Sequence, residues 1–308
     1  MKKKKRLQQG LFDDKEELTP AKAWDQDAAK RALDELFSLT HQYKSSKEYQ
    51  SLLQFTARFR FYSPYNAMLV HIQMPGARFV ASAHRWNRDY ERKIKAGART
   101  LIMLQPMTPV MFVFDVSDTE GKPLPPEVEN PFEVRCGKIG PKLDKTIENA
   151  KRDGVAVHTA SLGSQQGGSI RTVGPVTESL MFGETRVPLR YALEFGENTS
   201  EESRYATLAH ELAHLYCGHL GTPNKKWWPD RRGLAHNVVE FEAESVSYMV
   251  CARQGIDTPS ERYLANYVDA EDQVPPISLD CVMKAATLIE SMGSMTLSPR
   301  KAEQGKSV

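Results

Sequence analysis

The sequence predicts an α+β protein with two domains. Its 308 residues are enough for two domains of ordinary size, each of which can bury its own core. Several stretches carry apolar residues at helical spacing, and the short apolar runs between them are typical of strands. A segment with four prolines and turn chemistry, residues 118–131, separates the two halves of the chain.

The predicted boundaries follow this division, and the charge differs between the halves. We expect a flexible basic tail over 1–24, a first domain over 25–120, a linker over 121–140, a second domain over 141–294 and a disordered tail over 295–308. The formal net charge is +2, but residues 1–120 carry 20 lysines and arginines against 14 acidic residues. This local excess favours a polyanionic partner.

The sequence has the features of a cytoplasmic protein. No apolar run approaches the roughly 18 residues of a membrane span, and the lysine-rich start lacks the apolar stretch of a signal peptide. We therefore expect no membrane partner. The four cysteines, Cys136, Cys217, Cys251 and Cys281, lack CxxC spacing. This favours reduced thiols over disulfides or a cysteine-ligated zinc.

The first domain combines basic and aromatic residues. Its pattern predicts two helices over 24–61, an apolar helix through Met68 and Ile72, and strands over 100–104 and 110–116. Residues 56–104 contain nine lysines and arginines against Asp89 and Glu91, interleaved with seven aromatic residues. Cations neutralise phosphates and aromatic faces stack on unpaired bases, so this mixture is typical of single-stranded DNA binding.

The candidate DNA contacts are the basic, aromatic and amide side chains of this region. They are Arg58, Arg60, Tyr62, Tyr65, Asn66, Trp86, Arg92, Lys93 and Lys95. The alternative is that the aromatic rings belong to the core and the charges form a solvated face. Composition alone favours neither.

The second domain alternates helices and strands. We expect a helix over 143–152, a strand over 155–159, a glycine-rich loop over 161–168 and a strand over 187–193, followed by helices over 236–253, 260–268 and 277–292. The strand over 187–193 is either an edge strand that pairs with an extended peptide, as in zinc peptidases, or a purely structural strand. The loop lacks the GxGxxG and GxxxxGK[ST] forms of phosphate-binding loops.

A His-Glu-x-x-His motif lies between this strand and the later helices. His210 and His214, four residues apart on a helix, lie about 40° apart around its axis, so both imidazoles can reach one ion. Glu211 then faces the open side of the ion as a general base. The alternative is a buried helix with two ordinary histidines. His219 lies about 140° around the helix from His214, too far to share the ion.

Zinc needs a third protein ligand, and a second helix offers it. Glu240 and Glu244 share one helix face, whereas Glu242 lies about 200° from Glu240. We predict that Glu240 is the ligand and that Glu244 accepts the free ring N–H of a ligating histidine. Glu242 and His236 are the alternative ligands.

With these motifs the chain resembles ArdC-type antirestriction proteins over roughly residues 25–290. The first half is similar to the single-stranded DNA-binding domain of that family through residues 62–66 and 73–75, Trp86, the turn at 95–97 and residues 114–119. The second half resembles its zincin-like, gluzincin domain and, with Gly218 and His219, the ImmA/IrrE-type peptidases. The resemblance implies an α+β DNA-binding domain followed by a zincin-like metallopeptidase domain.

Three functions remain open. The first is an antirestriction protein of a mobile genetic element that binds single-stranded DNA and carries a Zn²⁺ site of the HExxH-plus-Glu type. The second is a regulatory zinc endopeptidase that cleaves a repressor or another protein. The third is a structural zinc fold that acts as an interaction module. The basic first half favours the first, and the intact Glu211 weighs against the third.

Overall fold

The structure is a computed structural model that describes residues 45–105, 110–124, 139–160, 168–174, 177–196, 200–258, 264 and 273–300. Helices and short strands both contribute to this part of the chain. The predicted α+β class is therefore confirmed. The predicted tail over 1–24 and most of the predicted linker lie outside the described residues.

Two capped helices open the described chain. Helix α1, Ser46–Arg58, is capped by Ser45, whose Oγ accepts a hydrogen bond from the Glu48 backbone N–H. Helix α2, Pro64–Gln73, has Ser63 as its cap and Pro64 in its first turn. The first helix predicted within 24–61 lies outside the described residues.

Two small antiparallel sheets follow. Strands β1 (Val80–Ala81), β3 (Leu101–Met103) and β4 (Met111–Asp115) form one sheet in the order β1-β4-β3. Strands β2 (Arg92–Ile94) and β5 (Thr119–Gly121) form a two-stranded sheet beside helix α3 (Ala83–Tyr90). Strands β3 and β4 confirm the strands predicted over 100–104 and 110–116.

The second half contains a mixed sheet. Helix α4 (Lys142–Arg152) leads into β6 (Val155–Ala160), which pairs in parallel with β10 (Tyr191–Gly196). On its other side β10 pairs antiparallel with β7 (Gly168–Thr172). Strands β8 (Ser179–Phe182) and β9 (Thr185–Pro188) form a separate hairpin.

Three long helices complete the described chain: α5 (Glu201–Tyr216), α6 (His236–Gln254) and α7 (Leu279–Ser294). The predicted helices over 236–253 and 277–292 are confirmed within two residues. The helix predicted over 260–268 lies outside the described residues except for Leu264.

The largest core joins the two halves of the sequence. Residues of α1 and α2, including Leu52 and Met68, pack in the same cluster as residues of α5, α6 and α7. The buried Arg253 of α6 donates hydrogen bonds to the carbonyls of Thr56, Phe59 and Tyr62, at 2.8, 3.0 and 2.5 Å. The packing therefore crosses the predicted division into 25–120 and 141–294, because the first two helices contribute to the core of the second half. Ala67 and Val70 of α2 also pack in a cluster with Val80 and Leu101 of the first half.

The C-terminal end is also more ordered than predicted. Asn149 accepts a hydrogen bond from the Leu297 backbone N–H at 2.9 Å. Arg300 pairs with the buried Asp153 at 3.0 Å and lies over the Trp228 ring. The prediction of disorder over 295–308 is wrong for residues 295–300, and residues 301–308 lie outside the described part. In the described ranges, no helix is both long and apolar enough to cross a membrane.

Candidate metal centre

Helix α5 begins with a strong cap and carries both histidines on one face. Ser200 accepts from the Ser203 N–H, and two glutamates occupy the first turn, where the helix dipole favours negative charge. One turn apart, the Nε2 atoms of His210 and His214 lie 3.2 Å from each other. Their lone pairs can therefore meet at one ion.

Glu240 of α6 lies opposite these histidines. Its Oε2 is 3.5 Å from His210 Nε2, and its Oε1 is 3.8 Å from His214 Nε2. The three donor atoms lie within 4.8 Å of one another. Ligands at zinc distances from one tetrahedral ion are about 3.3 Å apart, so this donor set fits Zn²⁺ and leaves a position open.

Glu244 lies one turn further along α6, behind the first histidine. Its Oε2 is 3.1 Å from His210 Nδ1, the ring nitrogen that faces away from Glu240. A carboxylate there holds the proton on Nδ1 and leaves Nε2 free to ligate. This is the arrangement that the i and i+4 spacing predicts.

The alternative ligand Glu242 faces the other way. It is fully buried, and Arg231 donates to both of its oxygens at 2.6 and 2.8 Å. The Ser278 backbone N–H also donates to it, at 2.6 Å, and His219 Nε2 lies 2.9 Å away. Both oxygens of Glu242 are therefore engaged in hydrogen bonds. This corrects its prediction as an alternative ligand, because Glu242 instead anchors a hydrogen-bond network.

The other alternative ligand, His236, lies at the surface. Its side chain is 82% exposed, and its Nδ1 is 3.7 Å from Glu240 Oε1. In the described ranges it does not join the compact group of donors that His210, His214 and Glu240 form.

Glu211, the predicted general base, lines the same cleft. Only 8% of the residue is exposed, and this burial raises the pKa of its carboxyl group, while the Ile170 backbone N–H opposes that rise. A carboxyl group with a raised pKa is a better proton acceptor near neutral pH.

The metal-free imidazoles differ in basicity. Burial lowers the pKa of His210, but hydrogen bonds to Glu240 and Glu244 outweigh it and raise the value to about 10. Burial and the neighbouring His210 charge lower the pKa of His214 to about 3. The hydrogen bond to His210 lowers the pKa of Glu240. One proton therefore occupies the site, and a metal ion must displace it.

The cleft has a volume of about 860 Å³ and is bordered by the start of β7. The structure corrects the predicted edge strand: residues 187–193 divide between β9 and β10, and β10 is paired on both sides. In the described chain, β7 pairs only with β10 and so forms the edge next to the cleft. A Cβ on Gly168 would lie 2.4 Å from Thr207 Cγ2, so glycine permits this close approach to α5.

The aromatic DNA-contact candidates lie in the core. Trp86 is fully buried and donates to the Phe114 carbonyl at 2.9 Å. Tyr62 and Tyr65 are each 7% exposed, and their hydroxyls donate to Val80 O and Asp280 Oδ1. The predicted stacking role of these three rings is therefore wrong for this conformation, because their faces are packed against protein.

Several polar candidates bind the backbone of the chain itself. Asn66 exchanges two hydrogen bonds with the backbone of Leu104, at 2.9 and 3.0 Å. Arg60 donates to the Ala252 carbonyl at 2.8 Å. Both side chains therefore have structural roles. Arg58 and Lys93 are exposed.

Two of the basic candidates line a smaller cavity, the basic pocket, which is defined by Arg78, Arg92 and Lys95. Its volume is about 320 Å³, and no carboxylate lines its described part. Arg92 donates to the carbonyls of Thr119 and Lys122, and Lys95 donates to that of Ser117 at 2.8 Å. Carbonyl partners orient these cations without neutralising their charge.

The fold and the cleft define an α+β protein with a candidate His-His-Glu metal centre. Two crystal structures of the antirestriction protein ArdC from plasmid R388 overlap this chain. The metal-free one has 16% identity and a TM-score of 0.33, covering 74% of this chain and 81% of that chain. The Mn(II)-bound one has 15% identity and a TM-score of 0.37, covering 75% and 85%.

These two structures come from the family that the sequence motifs resemble. The Mn(II) ion is a property of the second of these structures. No protein-family model and no curated protein matches the chain.

Proposed function

We propose that this protein binds a divalent metal ion, Zn²⁺, through His210, His214 and Glu240, and that Glu211 is the general base for hydrolysis of a peptide bond. The observation that carries the proposal is the convergence of three donor atoms within 4.8 Å beside the Glu211 carboxylate. Two imidazoles and one carboxylate with an open position are typical of catalytic rather than structural zinc.

The chain supplies the proton chemistry. A Zn²⁺ ion, when bound, acts as a Lewis acid that activates water and polarises a carbonyl group. Glu211 then takes a proton from the attacking water and returns it to the leaving amine. The burial of its carboxyl group supports this role, since desolvation raises its pKa toward neutrality.

The strand that borders the cleft favours an extended peptide as the substrate. Strand β7 contributes Gly168, Ser169 and Ile170 to the wall of the cleft next to Glu211. A peptide can add to the edge of such a strand through backbone hydrogen bonds, which holds the scissile bond along the cleft.

The substitution Glu211→Gln tests hydrolysis. Zinc-loaded protein is incubated with a random-sequence peptide library, and new termini are identified by mass spectrometry. We expect cleavage by the wild type and a fall of roughly 10²- to 10⁴-fold in the variant, with its zinc content unchanged. Equal cleavage by both proteins, or none by either, would contradict the proposal.

We also infer that the protein binds single-stranded DNA and has an antirestriction role. The basic pocket supports this second function, because three cations surround a cavity without a carboxylate in its described part. The motifs shared with ArdC-type proteins support the antirestriction role. Counterion release makes such binding strongly salt-dependent.

Gel shifts with single- and double-stranded DNA of equal length test the binding. We expect tighter binding to single strands, weakening steeply as salt increases. Plasmid transfer into restricting and non-restricting recipients then separates the two activities. If DNA binding provides protection, Glu211→Gln still protects; if the variant binds DNA but no longer protects, proteolysis of a protein partner is the protective activity.

A further inference from the structure

We propose that His219 is a positioning residue for the metal centre: it orients His214 so that the Nε2 lone pair of His214 faces the ion. This inference rests on the proposed metal binding. The helical geometry places His219 too far around the helix to bind the ion directly. Its role comes instead from its contact with the ligand His214.

The end of helix α5 brings His219 back toward the ligand. The Gly218 N–H donates to the Leu215 carbonyl at 3.0 Å, and the His219 N–H donates to the His214 carbonyl at 3.0 Å. These two bonds define a Schellman motif, with Gly218 in the left-handed region at φ +84°. In that motif the residue after the glycine contacts the residue three before the cap, and here these are His219 and His214.

The ring contact determines where the protons lie. His214 Nδ1 is 3.1 Å from His219 Nδ1, and His214 Nε2 faces His210 and Glu240. When Nε2 of His214 ligates a metal, its proton must be on Nδ1. His219 Nδ1 is then the acceptor, so the His219 proton must lie on Nε2, which is 2.9 Å from the Glu242 carboxylate.

The carboxylate of Glu242, which ends this series of hydrogen bonds, is held in place by several donors. Arg231 and the Ser278 backbone N–H donate to Glu242, which is fully buried. Arg231 is in turn fixed by its backbone N–H to the Gly218 carbonyl at 2.9 Å. Glu242 is thus kept as a charged acceptor for His219 Nε2–H, which leaves one proton arrangement for both rings.

A second metal site is the rival explanation of the same residues. Cys217, His219 and Glu242 also place donor atoms within 4.8 Å of one another. However, the Arg231 guanidinium already binds both oxygens of Glu242, and burial raises the pKa of the Cys217 thiol well above its usual value. The Arg231 guanidinium already supplies a positive charge to Glu242, and a protonated Cys217 thiol is a poor ligand. Both features favour the series of hydrogen bonds over a second metal ion.

The test compares three histidine variants by zinc affinity, measured against a competing chromogenic chelator. His219→Phe keeps a ring but removes the acceptor, and we expect zinc binding 10- to 100-fold weaker. His219→Asn offers an amide oxygen near the position of Nδ1, so most of the affinity should return. His158→Phe, at an exposed position on β6, is the matched control and should bind like the wild type.

Histidine ¹⁵N NMR of the zinc-loaded wild type tests the same inference without any substitution. We expect protonated Nδ1 on His214 and protonated Nε2 on His219; the opposite tautomer of His219 overturns the inference. So does unchanged zinc affinity in His219→Phe, or two zinc ions per chain of which this variant loses one. A wild type that binds no zinc overturns the proposed metal centre itself.

Discussion

The metal cleft and the basic pocket both concentrate charged side chains, but they give those side chains different partners. In the cleft, imidazoles face carboxylates at 3.1 to 3.8 Å, and the second ring nitrogen of each histidine ligand lies 3.1 Å from a further side chain. In the basic pocket, Arg92 and Lys95 face backbone carbonyls, and no carboxylate is among the described residues that line it. The first arrangement fixes an ion at one point, and the second creates a positive field that a flexible polyanion can enter.

The largest expected effect is the loss of the metal. His210→Ala removes one of three ligands and leaves Glu240 and Glu244 without their shared imidazole. Elemental analysis should give one zinc per wild-type chain and almost none in the variant. A variant with full zinc content would place the ion elsewhere.

The next effect concerns the buried aromatic residues of the first half. Trp86→Ala removes a ring with no exposed surface and its hydrogen bond to Phe114 O. We expect the free energy of unfolding, measured by urea denaturation, to fall by about 3–5 kcal/mol. Trp86→Phe should cost less. Wild-type stability in Trp86→Ala together with lost DNA affinity would restore the stacking role for this ring.

Zinc affinity should rise with pH. Because the metal-free His210 has a pKa of about 10, it carries a proton near neutral pH that the metal must displace. Between pH 7 and 9 we expect affinity to increase by about tenfold per pH unit, since one proton is released per ion bound. Calorimetry in buffers of different ionisation enthalpy counts this proton, and a pH-independent affinity would show that His210 is neutral before binding.

The smallest effect concerns the basic pocket. Arg78→Gln with Lys95→Gln removes two cations from its lining. Single-stranded DNA should bind several-fold more weakly, and the slope of log affinity against log salt should become shallower by about 0.7 for each phosphate that the variant no longer neutralises. Lys145→Gln with Lys284→Gln, two exposed lysines of the other half, is the matched control. Equal reductions in affinity for both pairs would indicate a diffuse charge effect.

The sequence predicts the cleft better than the basic region for a physical reason. Helical periodicity fixes which side chains share a face, so the positions of His210, His214, Glu240 and Glu244 follow from spacing alone. The one further requirement is that α5 and α6 pack together, because this packing places the two pairs of side chains opposite each other.

The amino-acid composition of the basic region does not indicate which way each side chain faces. Trp86 and Tyr65 face the core because α2 and α3 pack on neighbouring elements, and their positions in the sequence do not reveal this. The edge position predicted for residues 187–193 is wrong because β10 pairs with two other segments of the chain, β6 and β7. The local sequence pattern does not reveal such pairing. By contrast, the contact of His219 has a local signal that helical angles alone miss: Gly218 after the helix, which permits the Schellman turn.

Anomalous diffraction at the zinc absorption edge, from crystals grown with zinc, tests the central claim most directly. We expect one peak within ligand distance of His210 Nε2, His214 Nε2 and the Glu240 carboxylate, with Glu242 still bound to Arg231. A peak between Cys217, His219 and Glu242 instead, or no peak between the two helices, would contradict the proposed metal centre.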